Sequence, residues 1–168
     1  MVDLEDCTAH LPPKKFIVLS VKPKWVEKIL KGEKTIEIRK TKPNCKLPTL
    51  CYIYCTKDRH DALFVNKKDQ EKTYLKVKEK YGFGVFYDPE EFYIGNGHLV
   101  AKFTLNKVEK FYDFDDDLCE KACIDRGELL EYLGNKDGYA WHIENLKIYD
   151  QEIDLGIDPP MSWCYIER

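Results

Sequence analysis

The sequence has no long apolar run. No stretch of about 18 apolar residues occurs in its 168, which excludes a membrane-spanning helix. It also lacks the glycine-rich phosphate loops: neither GxGxxG nor GxxxxGK[ST] is present, which argues against dinucleotide and P-loop nucleotide sites. No two cysteines are separated by two residues, the usual pairing in structural zinc sites. Internal repeats and low-complexity tracts are absent. The opening MVDLEDCTAHLPPKK carries acids where a secretory leader needs positive charge, and no apolar segment follows. The expectation is a cytoplasmic protein with no membrane attachment.

What is present suits a globular chain. Hydrophobic residues make up 43% and aromatic residues 13%, enough for a core, and the length suits one domain. Seven cysteines, an odd number without a leader, point to reduced thiols. Cys51 and Cys55 in CYIYC, and Cys119 and Cys123 in CEKAC, read as packed thiols, since free cysteine is among the most buried residue types. No metal and no cofactor is expected. The net charge of −3 is uneven. From Lys14 to Lys46 there are 11 basic residues against Glu27, Glu33 and Glu37, or +8; the rest carries 16 against 27, or −11. Such a basic first third is either an anion-facing surface or a solvated lysine-rich helix. The overall negative sign argues against broad wrapping of nucleic acid, which needs many phosphate contacts.

Periodicity and breakers place the elements. Residues 1–15 read as an irregular lead-in ending at LPPKK. FIVLSV (Phe16–Val21) is a buried strand. PKWVEKILKG starts with a proline suited to a first helical turn and stops at Gly32. A strand follows over Lys34–Lys40, then a turn-rich loop, then a strand over Thr49–Thr56. Residues 59–97 look like an insertion at the surface, with a helix from about Lys68 to Tyr81 and short aromatic strands. His98–Tyr112 alternates as a long strand. Helices follow from the acidic DFDDD start and from Arg126 to Gly134. Gly138–Asp150 is a strand or strand pair, and a last strand follows DPP. This order is not alternating βαβ. It favours an α+β fold, a small mixed β-barrel with flanking helices over residues 16–168.

The chemistry concentrates in GEKTIEIRK. On a strand, Glu37 and Arg39 share a face while Lys34, Ile36, Ile38 and Lys40 take the other. Glu37 and Arg39 can then pair and line a cavity, since a buried charge must be paired and hydrogen-bonded. An arginine so held offers planar donors to a phosphate or a base edge. The bland alternative is a surface strand with an ordinary salt bridge.

The segment SVKPKWVEKILKGEKTIEIRK resembles the signature of the ASCH domain family: a helix ending in glycine, then lysine, two residues, glutamate or threonine, one residue, and arginine. Gly32, Lys34, Glu37 and Arg39 match it. YAWHIENLKIYD and PPMSWCYIE resemble the closing strands of phage and Firmicute members. The resemblance implies a PUA-like barrel with a cleft beside the first helix that binds RNA or a nucleotide-like ligand. One branch of the family hydrolyses an acetylated cytidine with a threonine nucleophile, activated by a lysine matching Lys34. Here Glu37 stands in the threonine's place, so that activity is not implied. In a ribonuclease, Lys34 and Arg39 would stabilise phosphate charge while Glu37 acted as base.

The ligand-binding candidates are therefore Lys34, Glu37, Arg39, Trp25 and Trp163, with Lys34 and Glu37 catalytic if the chain is an enzyme. Trp25 and Trp163 are stacking candidates; Trp25, on a core-facing helix, reads first as packing, and Trp141 belongs to the same set. Ser162 and Tyr165 offer hydroxyls. His142, and the acidic run Asp115–Asp117 at a helix start, read as structural. His10, His60 and His98 have no evident partner. The leading expectation is binding of RNA or a nucleotide-like ligand. The alternatives are a hydrolase on the same cleft and a protein-interaction module whose partner the sequence does not identify.

Overall fold

The computed structural model describes residues 15–78 and 86–167. The lead-in, with His10, lies outside them. Strand β1 (Lys15–Val21) is apolar on both faces because both are covered: Ile17, Leu19 and Val21 join the main core, and Val18 joins a smaller cluster behind it. Helix α1 (Pro23–Leu30) starts on its proline and buries Val26, Ile29 and Leu30. Gly32 takes φ +77°, and the amides of Glu33 and Lys34 both donate to the Lys28 carbonyl. This reverses the chain into β2 (Ile36–Arg39), where all four residues are buried.

The remaining elements are β3 (Thr49–Cys55), β4 (Asp61–Asn66), β5 (Tyr74–Val77), β6 (Phe92–Ile94) and β7 (His98–Phe111). Then come α2 (Asp116–Ala122), α3 (Arg126–Leu133), β8 (Gly138–Ile153) and β9 (Trp163–Glu167). Gly138–Asp150, read as a strand or strand pair, is part of one long strand. Six strands form a sheet in the order β2-β8-β7-β3-β1-β9, and three form a second in the order β5-β4-β6. In the large sheet only β1 and β3 run parallel. The architecture is α+β, as expected. The barrel, however, is open: no backbone ladder joins the end strands β2 and β9 among the described residues.

The main core lies inside the curled sheet and includes Ile17, Leu19, Ile53, Phe103, Leu105 and Trp141. A second core, with Ile36, Ile38, Leu118, Leu129 and Leu133, packs α2 and α3 on the back of β2.

Two expectations need correction. The helix expected over 68–81 is a single 3₁₀ turn (Gln70–Lys72) followed by strand β5, with residues 79–81 outside the description. TYLKV reads at period two once its partner is known: Tyr74 stacks on Phe64 of β4 at 4.9 Å, while Leu75 packs against the main core. Residues 59–97 also do more than decorate the surface, since Leu63, Val65 and Tyr93 enter the main core.

Candidate functional site

Lys34 is not on the strand expected to carry it. The strand begins at Ile36, so Lys34 sits in the preceding turn and its side chain swings to the same side as Glu37. Lys34 Nζ lies 3.3 Å from Glu37 Oε2, and Arg39 Nη2 lies 3.0 Å from Glu37 Oε1. The two basic side chains thus flank one carboxylate. Lys34, Glu37 and Arg39 are 4%, 6% and 8% exposed, and at that depth partners are required.

Those partners are mostly backbone. Lys34 donates to the Ala122 carbonyl at 2.6 Å, at the C-terminal end of α2, where the helix dipole favours a cation. Arg39 donates to the Ser20 carbonyl of β1 at 2.7 Å and to Ser162 Oγ, just before β9, at 3.0 Å. Arg39 therefore spans from one end strand of the sheet to the other. Two buried atoms of the triad have no hydrogen-bond partner, Glu37 Oε2 and Arg39 Nε. The Lys34 contact to Glu37 Oε2 gives charge without hydrogen-bonding geometry.

Aromatic side chains surround the triad. Lys34 Nζ lies 5.1 Å from the centroid of Trp25, on α1, which places Trp25 beside the triad. Glu37 pairs across the ladder with Trp141, and Arg39 with Tyr139. Trp163 is one step removed. Its indole donates to Thr41 Oγ1 at 3.0 Å, the Trp141 indole donates to the Thr41 carbonyl at 3.1 Å, and the two rings meet edge to face at 5.5 Å. Trp163 thus fixes the segment whose preceding residue, Ser162, holds Arg39. The Tyr165 hydroxyl accepts from the Asn44 amide at 2.5 Å.

Several site residues escaped the sequence. Tyr132 of α3 carries Lys40 Nζ at 4.9 Å from its ring centroid. Burial raises its hydroxyl above the ordinary value, while Arg39 lowers it and Glu37 raises it, which puts all three in one electrostatic neighbourhood. Lys24 on α1 pairs with Glu128 on α3 at 3.2 Å and also lies 4.4 Å from the Trp25 centroid. The triad thus has Trp25 of α1 beside Lys34, and Tyr132 of α3 beside Lys40, the residue after Arg39. Beneath it, burial pushes the Cys51 thiol well up; Arg39 opposes the shift, and Glu37 and Cys45 add to it.

Other candidates resolve differently. His142 pairs with Glu109 at 2.7 Å, away from the triad. Asp115 caps α2, Asp116 pairs with Arg126 and Asp117 with Lys121. Two surface hollows are not lined by Lys34, Glu37 or Arg39. One of about 410 Å³ is lined by Tyr52, Leu99, Leu155, Ile157 and Ile166 among others. One of about 190 Å³ lies beside Ser20, Lys57 and Pro160.

Comparison with known proteins agrees with the motif. Residues 19–154 match the family model of the ASCH domain. A crystal structure of ASCH from Zymomonas mobilis aligns with a TM-score of 0.56 at 16% identity, covering 89% of this chain and 86% of that one. A variant of that protein with a tyrosine replaced by phenylalanine aligns at 0.57 and 16% identity, over 91% of each chain. One with a serine replaced by alanine aligns at 0.55 and 15% identity, over 93% and 91%. At such identities the likeness shows the fold. No curated protein matches significantly. The match over most of the chain, with Gly32, Lys34, Glu37 and Arg39 inside it, shows that the chain belongs to the ASCH domain family.

Proposed function

We propose that this protein binds RNA or a nucleotide-like ligand at the mouth between α1 and α3, with the Lys34–Glu37–Arg39 triad as its recognition floor. One observation carries this: Glu37 Oε2 and Arg39 Nε are buried without hydrogen-bond partners. Buried polar atoms are nearly always satisfied, and each exception asks for an explanation. An unpartnered acceptor on Glu37 and an unpartnered donor on Arg39 complement a planar edge that offers one donor and one acceptor, as nucleobases do. The exposed end of the site is Ser162, where the Arg39 guanidinium reaches the surface. Exposed Lys40 and Lys42, next in sequence, have no ion-pair partner among the described residues and suit phosphate.

A hydrolytic reading rests on the same oxygen, since Glu37 Oε2 makes no hydrogen bond and has Lys34 Nζ 3.3 Å away. The residue in the position of the family's threonine nucleophile is that glutamate, so a covalent route has no hydroxyl there.

Thermal-shift titration with nucleosides, nucleotides and short single-stranded RNAs tests both. A ligand that binds only the native state raises the midpoint by mass action. The expected result is a shift for at least one probe, abolished in Arg39→Lys, which keeps the charge but loses the fork. If the folded wild-type protein shows no shift with any probe, the binding reading fails. Conversion of the bound probe to product, lost in Glu37→Gln, would establish the hydrolytic one.

A further inference from the structure

The triad is too deep to hold a ligand by itself: its three residues are at most 8% exposed. A bound group must rest on something at the mouth. Trp141, aligned beside Glu37, is fully buried and cannot serve. Tyr132 differs. It is 40% exposed, it projects from α3 one turn after Glu128, and Glu128 is the residue that ties α3 across to Lys24 and Trp25 of α1. Leu129 and Leu133 of the same helix are buried in the core behind β2, so the backbone that carries Tyr132 is anchored. Lys40 Nζ sits over the ring, 4.9 Å from its centroid, placing a cation against one face. The hydroxyl end is within electrostatic reach of Arg39 and Glu37.

We propose that Tyr132 is the base-stacking platform of the site, taking the face of an RNA base whose edge meets the triad and whose phosphate meets Lys40. This deepens the binding reading given above and rests on it. Stacking needs a rigid, partly exposed ring beside a cation and recognises the base rather than the backbone. A solvent-facing tyrosine with no ligand role would share the exposure but would not discriminate bases from abasic sugars.

The test is fluorescence anisotropy with a labelled single-stranded hexaribonucleotide and its abasic counterpart, on wild type, Tyr132→Phe and Tyr132→Ala. Unlabelled nucleoside monophosphates serve as competitors. Tyr132→Ala is expected to weaken the base-bearing strand roughly tenfold or more, the size of one lost base stack, and to leave the abasic strand unchanged. Tyr132→Phe is expected to bind as wild type, and a melting point within a degree or two of wild type shows that the alanine variant is folded. Competition only by the hexamer makes the bound base part of a strand. Competition by monophosphates at equal concentration overturns the RNA source. Equal loss of both strands in Tyr132→Ala overturns stacking, as does no loss of either, while binding by the wild type still upholds the underlying reading. No binding of either strand by the wild type overturns both.

Discussion

A carboxylate held between two cations in a buried position has little freedom to be replaced. Removing the charge of Glu37 strands Lys34 and Arg39 at 4% and 8% exposure. Glu37→Gln is therefore expected to lower unfolding stability by about 3–5 kcal/mol, the cost of breaking a buried pair from one side. Urea denaturation measures it, and an unchanged midpoint would show the triad to be solvated. Burial acts on the thiols too. Cys51 and Cys55 are raised above the ordinary thiol value of 9.0, so the folded state keeps protons that the unfolded state loses. Their contribution is complete below about pH 8 and declines as pH rises past 9, by up to ~1.4 kcal/mol per unit per thiol. A melting curve series from pH 8 to 10 should fall more steeply for wild type than for Cys51→Ala/Cys55→Ala. At this scale Lys34, Glu37 and Arg39 were legible because their spacing lies within six residues. Tyr132 was not, because only the packing of α3 behind β2 brings it near Arg39. Lys34 was assigned to the wrong face because the alternation was extended two residues past the true start of the strand.

Elements carry their own signals at their ends. Asp115 Oδ1 accepts from the Leu118 amide at 2.8 Å, and Asp125 Oδ1 accepts from the Glu128 amide at 2.7 Å. Both helices were foreseeable from such starts. Asp125→Ala is expected to cost about 1 kcal/mol of stability and, since the cap precedes Glu128 and Tyr132, to loosen that side of the site. A urea midpoint equal to wild type would remove the cap from the account. Gly138 is tighter still. A Cβ there would stand 2.2 Å from the Phe111 ring, its cross-strand partner. Gly138→Ala should destabilise by ~1–3 kcal/mol through overpacking, and Gly138→Ala combined with Phe111→Leu should recover part of the loss. If the double variant melts below the single, the clash is not the cause. The failed helix over 68–81 shows the limit of such reading. Its residues are fair helix formers, and the partner that makes them a strand, Phe64 of β4, is not visible in the local pattern.

Across the whole molecule, half of the described basic residues of the first third are ion-paired, but only Lys24 reaches an acid outside that segment, so most of its net positive charge remains. Lys24 and Lys28 of α1 and Lys31 just after it pair with Glu128, Glu33 and Glu27, and Lys34 and Arg39 share Glu37. The lysine-rich helix is therefore mostly a salt-bridged surface. Lys15, Lys22, Lys40, Lys42 and Lys46 have no ion-pair partner among the described residues, and only some of them flank the mouth. Strand binding should accordingly depend on salt with a shallow slope, equivalent to about two or three phosphates. Anisotropy titrations between 50 and 200 mM salt measure it, and a slope several times steeper would place the contact on a wider surface. The curled sheet itself could be expected from the strand count, but its open seam could not. Across that seam Arg39 reaches from β2 to Ser20 and Ser162, beside the Trp163–Thr41 and Asn44–Tyr165 bonds.

The seam has a mechanical consequence. Arg39, proposed above to meet a ligand, also bonds Ser20 of β1 and Ser162 just before β9, so on the binding reading occupancy and closure are coupled. In the Arg39→Lys protein the amides of Ser20 and Trp163 should exchange with deuterated water faster than in wild type, while those of the β3–β7 ladder keep their protection. A bound base would slow the same two amides.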